Sequence, residues 1–327
     1  MHAPDRRWLK RGAAWLLALA AGTAAAQADY PSKPIRLIVP IAAGSVTDVV
    51  LRAAAQPLAV RFGQPLLIDN RPGASGIVGA QACAGAPADG YTLCAVYHAI
   101  MSFNPHTYDK LPYDPQHDFL PVTNLYFVTE ALVVPRALPV NTIAELRAYA
   151  VLNPTALNFG TLGEGSLQEL MVAWLNREWS VKVTGVPYKG GGPISTALLA
   201  NEIQLAQMGV GNFLGAIQGG QLKALALAAT RRSAQMPLVP TLAEAGLGGF
   251  RSRPWWGLAV PAGTPAPVVA RVREEFLRVF SEPKFVEFLE SRFVEPATGT
   301  PEAFAAFLKE DRENAGVLVR LAKQGKN

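Results

Sequence analysis

The chain has 327 residues, 50% of them hydrophobic and 17% charged, with 29 Gly, 26 Pro and only two Cys. That length holds two ordinary domains or one two-lobed unit with a sizeable core. Glycine and proline are too few for a low-complexity or collagen-like chain, and two cysteines exclude a disulfide framework or a four-cysteine zinc site.

The formal net charge of +5 points to a polyanion partner until its location is considered. Arg6, Arg7, Lys10 and Arg11 crowd the start of the chain against one acid, Asp5. An apolar run from Gly12 to Gly22 follows, then small residues ending Ala26-Gln27-Ala28. A basic start, a short apolar stretch and an A-x-A site make residues 1–28 a secretory signal peptide, cleaved after Ala28. The competing reading, a membrane anchor, needs about 20 apolar residues, more than this run supplies. Losing residues 1–28 removes four bases and one acid, which lowers the net charge to +2. The basic excess therefore belongs to the export signal. Nucleic acid is not expected as a partner, and the mature protein is expected in the periplasm. Export makes a Cys83–Cys94 disulfide chemically accessible, but the apolar flanks AQACAG and TLCAV favour two small unpaired buried side chains.

Residues 34–40 are β-branched and closed by Pro40, hence a strand. The small residues of 41–48 follow, with Thr47 or Asp48 placed to cap a helix carrying Val49, Val50, Ala53, Ala54 and Leu58. Leu66–Ile68 is a strand, 70–73 a turn, 75–84 a helix and 91–96 a strand. The rhythm then repeats: strand 132–134, a helix capped by Thr142, strand 157–160, the loop TLGEGS and a helix from Leu167. Strand 181–186, the glycine turn 189–193, a helix to Ala200 and strands 203–208 and 222–228 complete the middle of the chain. Trp255–Pro261 is a strand, and helices are expected after Pro265, near 283–291 and over 301–323.

This alternation makes the fold α/β, each lobe a mainly parallel or mixed sheet with helices on both faces. No floppy linker is visible, so the chain is expected to cross between lobes more than once. Residues 29–127 form the first part of lobe 1, 128–250 form lobe 2, and 251–327 return to lobe 1. In open sheets of this kind ligands bind beyond the carboxyl ends of the strands. The loops there are 41–48, 72–76, 97–102, 161–166 and 189–193, all small or hydroxyl-bearing and most leading into helices. Free N–H groups and the helix dipole favour an anion such as a carboxylate.

Catalytic patterns are thin. The mature chain has His98, His106 and His117 but no HExxH, no Walker A loop and no complete G-x-G-x-x-G. Residues 73–77 (GASGI) lack the last Gly of G-x-S-x-G. No metal, cofactor or enzymatic activity is expected. His98 is the histidine placed near the site, as a ligand contact or a polar loop residue; Lys189 can pair with an anion or stay solvated; and Trp255 and Trp256 can wall a pocket, with one of the two in the core.

The mature chain resembles, end to end, the Bug-type extracytoplasmic receptors of tripartite tricarboxylate transporters. The matching stretches are YPSKPIRLIVPIAAGSVTD (30–48), GQPLLIDNRPGASGIVGA (63–80), APADGYTL (86–93), LPYDP (111–115), VPYKGGGP (186–193), VPTLAEAGL (239–247) and WWGLAVPAGTP (255–265). The resemblance implies a two-lobed type II periplasmic-binding-protein fold. It also implies capture of a small organic carboxylate between the lobes and delivery to integral-membrane permease subunits. The protein is expected to be a monomer.

The loop reading and the resemblance together give the expected ligand-binding set: Ile41, Ala43, Gly44, Ser45, Thr47, Asp48, Tyr97, His98, Thr161, Gly163, Glu164, Gly165, Ser166, Lys189, Gly190, Met208 and Trp255. Ala43, Gly44, Thr47 and Asp48 keep the family pattern of the first loop, whereas Ile41 replaces an aromatic and Ser45-Val46 replace glycine-like positions. Glu164 stands where Asn is common, Leu167 and Gln168 where Ser is, Glu169 where His is, and Met208 where Asp is. These departures imply an apolar pocket that disfavours citrate-like ligands and suits a monocarboxylate with an apolar or aromatic body, or an amine-bearing ligand answering Glu164. The alternatives are a subunit presenting its ligand to a periplasmic sensor kinase and, further off, a secreted hydrolase using Asp48 or His98.

Overall fold

The computed structural model describes residues 30–251 and 253–324; the signal peptide and its cleavage site lie outside them. Strand β1 (Ile35–Val39) is a buried β-branched run and leads through the small-residue loop into α1 (Val46–Phe62). The helix cap is Ser45, whose side chain accepts from the Asp48 N–H, so Thr47 and Asp48 lie inside the first turn instead of capping it. Gly63 ends α1 in the left-handed region at φ 67°. There follow β2 (Leu66–Asn70), α2 (Ile77–Ala84), β3 (Thr92–Tyr97) and a short α3 (Asn104–Thr107).

Next comes β4 (Phe119–Val128), which the sequence reading does not contain. Its Pro121 and Asn124 read as breakers. The strand tolerates Pro121 because its second neighbour, β11 (Val294–Pro296), pairs only with Tyr126–Val128. At Pro121 only the β10 side carries a strand partner.

Lobe 2 holds β5 (Glu130–Pro135), α4 (Ile143–Leu152), β6 (Asn158–Thr161), α5 (Leu167–Trp179), β7 (Thr184–Pro187), α6 (Gly191–Leu199), β8 (Leu205–Gly209), α7 (Leu214–Gln218) and β9 (Leu222–Ala228). The chain then returns through β10 (Trp255–Pro261), α8 (Ala266–Phe280), α9 (Pro283–Ser291), β11 and α10 (Pro301–Gln324). The six-stranded sheet runs β11-β4-β10-β3-β1-β2 and the five-stranded sheet β7-β6-β8-β5-β9. Strands β1, β2 and β3 are parallel, as are β6, β7 and β8, whereas β10 and β5 run antiparallel to their neighbours. Both sheets are thus mixed.

Period-two alternation divides the first sheet cleanly. Leu37 and Trp256 face the layer of α1 and α8 with Val50, Leu58, Val272 and Phe276. Ile38 and Trp255 face the opposite layer with Phe304 and Leu308 of α10. The far half of α10 leaves that layer: Ala315, Leu318 and Val319 pack into the lobe 2 core with Phe159, Leu170 and Trp174. The C-terminal helix therefore belongs to both lobes, a correction to its assignment to lobe 1 alone. Its apolar stripe is continuous, and no sequence signal marks where it changes partner.

Cys83 at the end of α2 and Cys94 in β3 form a disulfide with Cα atoms 6.0 Å apart. Both are buried as the apolar flanks imply, but they are paired, which corrects the preference for free thiols. The packing of α2 over β3 brings the two residues together, and spacing along the chain does not reveal it. Closing a loop of this size contributes roughly 2–3 kcal/mol. Reduction under native conditions should lower the urea midpoint by the corresponding amount, and an unchanged midpoint would show that the bond does not constrain the unfolded chain.

Only Thr129 separates β4 from β5, so the chain crosses between sheets in extended form. Glu130, the first residue of β5, is 6% exposed and accepts from Gln207 Nε2 at 3.0 Å. Burial pushes its carboxyl up to about 7 against the opposing pull of that hydrogen bond. Native Glu130 holds its proton to about pH 7 while the unfolded chain releases it near 4.5. Its stabilising contribution is full below the lower value and is lost as pH rises through the upper one. His98 has the opposite sign, since burial lowers its pKa to about 4, so the comparison must be made against Glu130→Gln. The stability of wild type relative to that variant should fall between about pH 5 and about pH 8; a constant difference would mean that Glu130 ionises normally in the folded protein.

Candidate functional site

The parallel strands of both sheets end at one cleft. The loop after β1 (41–45) and His98 after β3 come from lobe 1; the loops after β6 (162–166), β7 (188–190) and β8 (210–212) come from lobe 2. Two of the contacts between the lobes are made at glycines. A Cβ placed on Gly211 would lie 3.7 Å from Val46 Cγ2, and one on Gly165 would lie 3.0 Å from Thr107 Cγ2. Gly165 also has φ 77°, so a larger residue there would be strained as well as crowded.

Both lobes build their ligand loop with the same four-residue device. In lobe 1, Ser45 caps α1 and its Oγ accepts from Asp48 N at 3.2 Å. The Asp48 carboxylate in turn accepts from Gly44 N (2.9 Å), Arg52 Nε (2.9 Å) and Asn70 Nδ2 (2.8 Å). Burial works to raise its pKa, but the Arg52 and Asn70 hydrogen bonds, the Gly44 N–H and the Arg52 charge outweigh it and hold the carboxyl below its ordinary value. In lobe 2, Ser166 caps α5 and its Oγ accepts from Glu169 N at 3.3 Å. Glu169 reaches back to accept from Thr161 Oγ1 at 2.8 Å. Each acid is committed to holding its loop. Each serine has used only acceptor capacity, so its hydroxyl hydrogen remains available beside a helix N-terminus.

This sorts the residues expected from the sequence. Ala43 and Gly44 are exposed, and Ser45, Gly163, Gly165 and Ser166 are half-buried. Asp48 and Thr47 are buried; the Tyr126 hydroxyl faces Thr47, and Asp48 acts as a positioning residue. Thr161 is buried with its hydroxyl given to Glu169. Glu164 is exposed on the rim of a hollow of about 460 Å³ that runs between α5 and the end of α10. Lys189 is exposed and Gly190 caps α6 without a side chain. Met208 is half-buried, and Gln168 Nε2 lies 3.3 Å from its sulfur.

Trp255 is the clear correction. Its indole is 0% exposed and donates to Asp311 Oδ2 at 2.8 Å inside the core. Its neighbour Trp256 is also buried, 6% exposed, and stacks on the half-buried Tyr97 with centroids 4.5 Å apart and an interplanar angle of 11°. The half-buried Ile41 and Val46 pack against the same cluster. In the loop 72–76, Pro72, Gly73 and Ala74 are exposed and Ser75 is half-buried, while Gly76 is buried under the Tyr97 ring, where a Cβ would meet Tyr97 Cε1 at 2.8 Å. Leu167, expected in the pocket, is a core residue of lobe 2.

Glu169, Arg52, Asn70 and Trp256 are absent from the expected set. The pattern Ser-x-x-acid at 45–48 and 166–169 is a legible capping signal that identifies Glu169. Arg52 is legible as the i,i+4 partner of Asp48 on α1, whereas Asn70 carries no signal, since β2 alone brings it to Asp48. Among the described residues, no cluster of three or more His, Cys, Asp or Glu is placed to hold a metal ion. No described helix is long and apolar enough to cross a membrane.

Residues 50–323 match the tripartite tricarboxylate transporter family receptor. The protein BugT of Bordetella pertussis is 30% identical over 292 residues, which is 89% of this chain and 90% of BugT. A protein of R. palustris solved with adipate superposes with a TM-score of 0.82 at 29% identity, covering 90% of this chain and 98% of that one. MatC from Rhodopseudomonas palustris, solved with bound malate, gives 0.78 at 31% identity, covering 89% and 100%. A periplasmic-binding-protein fold and a family match across the length of the mature chain leave one assignment: the chain belongs to the Bug-type receptors of the tripartite tricarboxylate transporter family.

Proposed function

We propose that this protein is a periplasmic solute receptor that captures a carboxylate with an apolar body and hands it to the permease subunits of a tripartite transporter. The observation that carries the reading is the paired device of Ser45 and Ser166, one from each lobe, each a helix N-terminus with a free hydroxyl hydrogen at the cleft. Adipate and malate in the two solved relatives support a carboxylate. Ile41, Val46, Tyr97, Trp256 and Met208 support an apolar body. Asp48 and Glu169, the acids in the first turns of α1 and α5, accept hydrogen bonds from protein donors, which suits a binding protein.

Two measurements test this. Calorimetry on residues 29–327 should show citrate binding at least about tenfold more weakly than a monocarboxylate of similar size with an apolar body; micromolar citrate binding would overturn the apolar pocket. Ser166→Ala removes one charge-assisted donor, expected to cost roughly 1–3 kcal/mol of ligand affinity, together with about 1 kcal/mol of fold stability from the lost helix cap, which leaves the protein folded. Affinities left intact in both Ser45→Ala and Ser166→Ala would place the carboxylate elsewhere. Uptake of the ligand by cells lacking this gene decides the transport half of the proposal, since unimpaired uptake would favour ligand presentation to a sensor.

A further inference from the structure

The hollow of about 460 Å³ between α5 and the end of α10 borders the second-lobe ligand loop at Gly165. Leu170 and Ala173 of α5 and Val319 and Ala322 of α10 give it aliphatic walls. Its volume falls within the roughly 300–1,000 Å³ of small-molecule sites. Thr107, which faces Gly165 from lobe 1, also borders it, so both lobes contribute. The hollow and the ligand loop share one acid, Glu169. Its N–H goes to Ser166 Oγ and its Oε1 accepts from the Thr161 hydroxyl, and the same residue lines the hollow. Among the described residues no hydrogen bond reaches Oε2, and no Lys or Arg pairs with the carboxylate. Oε2 is not one of the buried polar atoms left without a partner, so this half-buried residue keeps it open to solvent. Two cations line the hollow as well. Lys323 donates to the His106 carbonyl at 3.0 Å, and Arg177 stands eight residues beyond Glu169 on α5, about 12 Å along its axis. Both are exposed and solvated, so neither neutralises the carboxylate. Glu164, at the rim, has the same sign as Glu169.

We infer that the hollow is a second binding site, taking an apolar amine whose ammonium group pairs with Glu169 while its alkyl body lies on Leu170, Ala173, Val319 and Ala322. Half-burial thins the water around the carboxylate, so a cation is drawn to it more strongly than to an exposed acid. An anion in the hollow would have only the solvated Arg177 and Lys323 to hold it and would face Glu169. The site stands apart from the receptor reading above, but one consequence rests on that reading. Glu169 stands three residues after Ser166, so its charge opposes a carboxylate held there. An ammonium group on Glu169 cancels that opposition. Amine in the hollow and carboxylate in the cleft therefore tighten each other's binding by the same factor.

Calorimetry at pH 7 with hexylamine, which carries its proton there, and with hexan-1-ol tests the site. Hexylamine should bind wild type at least about tenfold tighter than the alcohol. Glu169→Gln keeps an acceptor for Thr161 and removes the charge, so it should bring that ratio close to one. Ala173→Phe fills the hollow and should abolish hexylamine binding while adipate, as a carboxylate for the cleft, binds as it does to wild type. Equal affinity of wild type for the two probes, or no binding of either, overturns the inference. So does a preference that survives Glu169→Gln, or hexylamine binding that survives Ala173→Phe; the second variant decides alone if the first does not fold. Saturating hexylamine should also lower the Kd of adipate about fivefold in wild type and leave it unchanged in Glu169→Gln. An unaltered Kd in wild type would overturn the coupling. If no carboxylate binds, the receptor reading and the coupling fall together, and the hexylamine results alone decide the second site.

Discussion

The cleft depends on two carboxylates that are unavailable to the ligand. Asp48 and Glu169 each stand three residues after a capping serine, and each is tied back to the loop that precedes its helix. An acid this close to an anion site would repel the ligand if left free, by about 4 kcal/mol at short range and intermediate screening. Engagement reduces that penalty at Asp48, which is matched by the Arg52 cation, the Gly44 N–H and the Asn70 amide, whereas the Glu169 carboxylate has only the neutral Thr161 hydroxyl to orient it. The acids thus turn flexible small-residue loops into fixed frames, and the helix N-termini keep their attraction for an outside anion.

Joining two such frames sets a second constraint. The lobes are connected by a one-residue crossing at Thr129 and by the return to β10, and α10 threads from one core to the other. Where the frames meet, Gly165 faces Thr107 and Gly211 faces Val46 across gaps that leave little room for larger residues. The buried thread Glu130–Gln207–Gln168 runs from the crossing to the first turn of α5, two residues past Ser166. Chemistry at the crossing and at the second-lobe loop is therefore physically continuous.

Much of the fold was legible because its signals are local. Strand β10 begins and ends at the expected residues, Thr142 caps α4, and Pro265 opens α8, since β-branching, capping and proline geometry act within a few residues. Strand β4 was not, because Pro121 and Asn124 break the local pattern and only the empty edge beside β11 makes them tolerable. The site divides in the same way. The small loops and Ser166 could be read from spacing, whereas the burial of Thr47, Thr161 and Trp255 could not. Alternation shows that Trp255 and Trp256 face opposite sides, but not which side is the cleft.

The sequence by itself determined the alternation of strands and helices, the capped loops at the strand ends and, through its end-to-end resemblance, the receptor family. These follow from propensities and short patterns that need no partner. The tertiary structure alone decided the pairing of Cys83 with Cys94, the tie of Asn70 to Asp48, the burial of Trp255 and the passage of α10 between cores. Each of these joins residues distant in the chain or chooses between two faces of one element. Such choices are made by what packs against a residue, and a linear pattern of apolar and polar side chains carries no record of it.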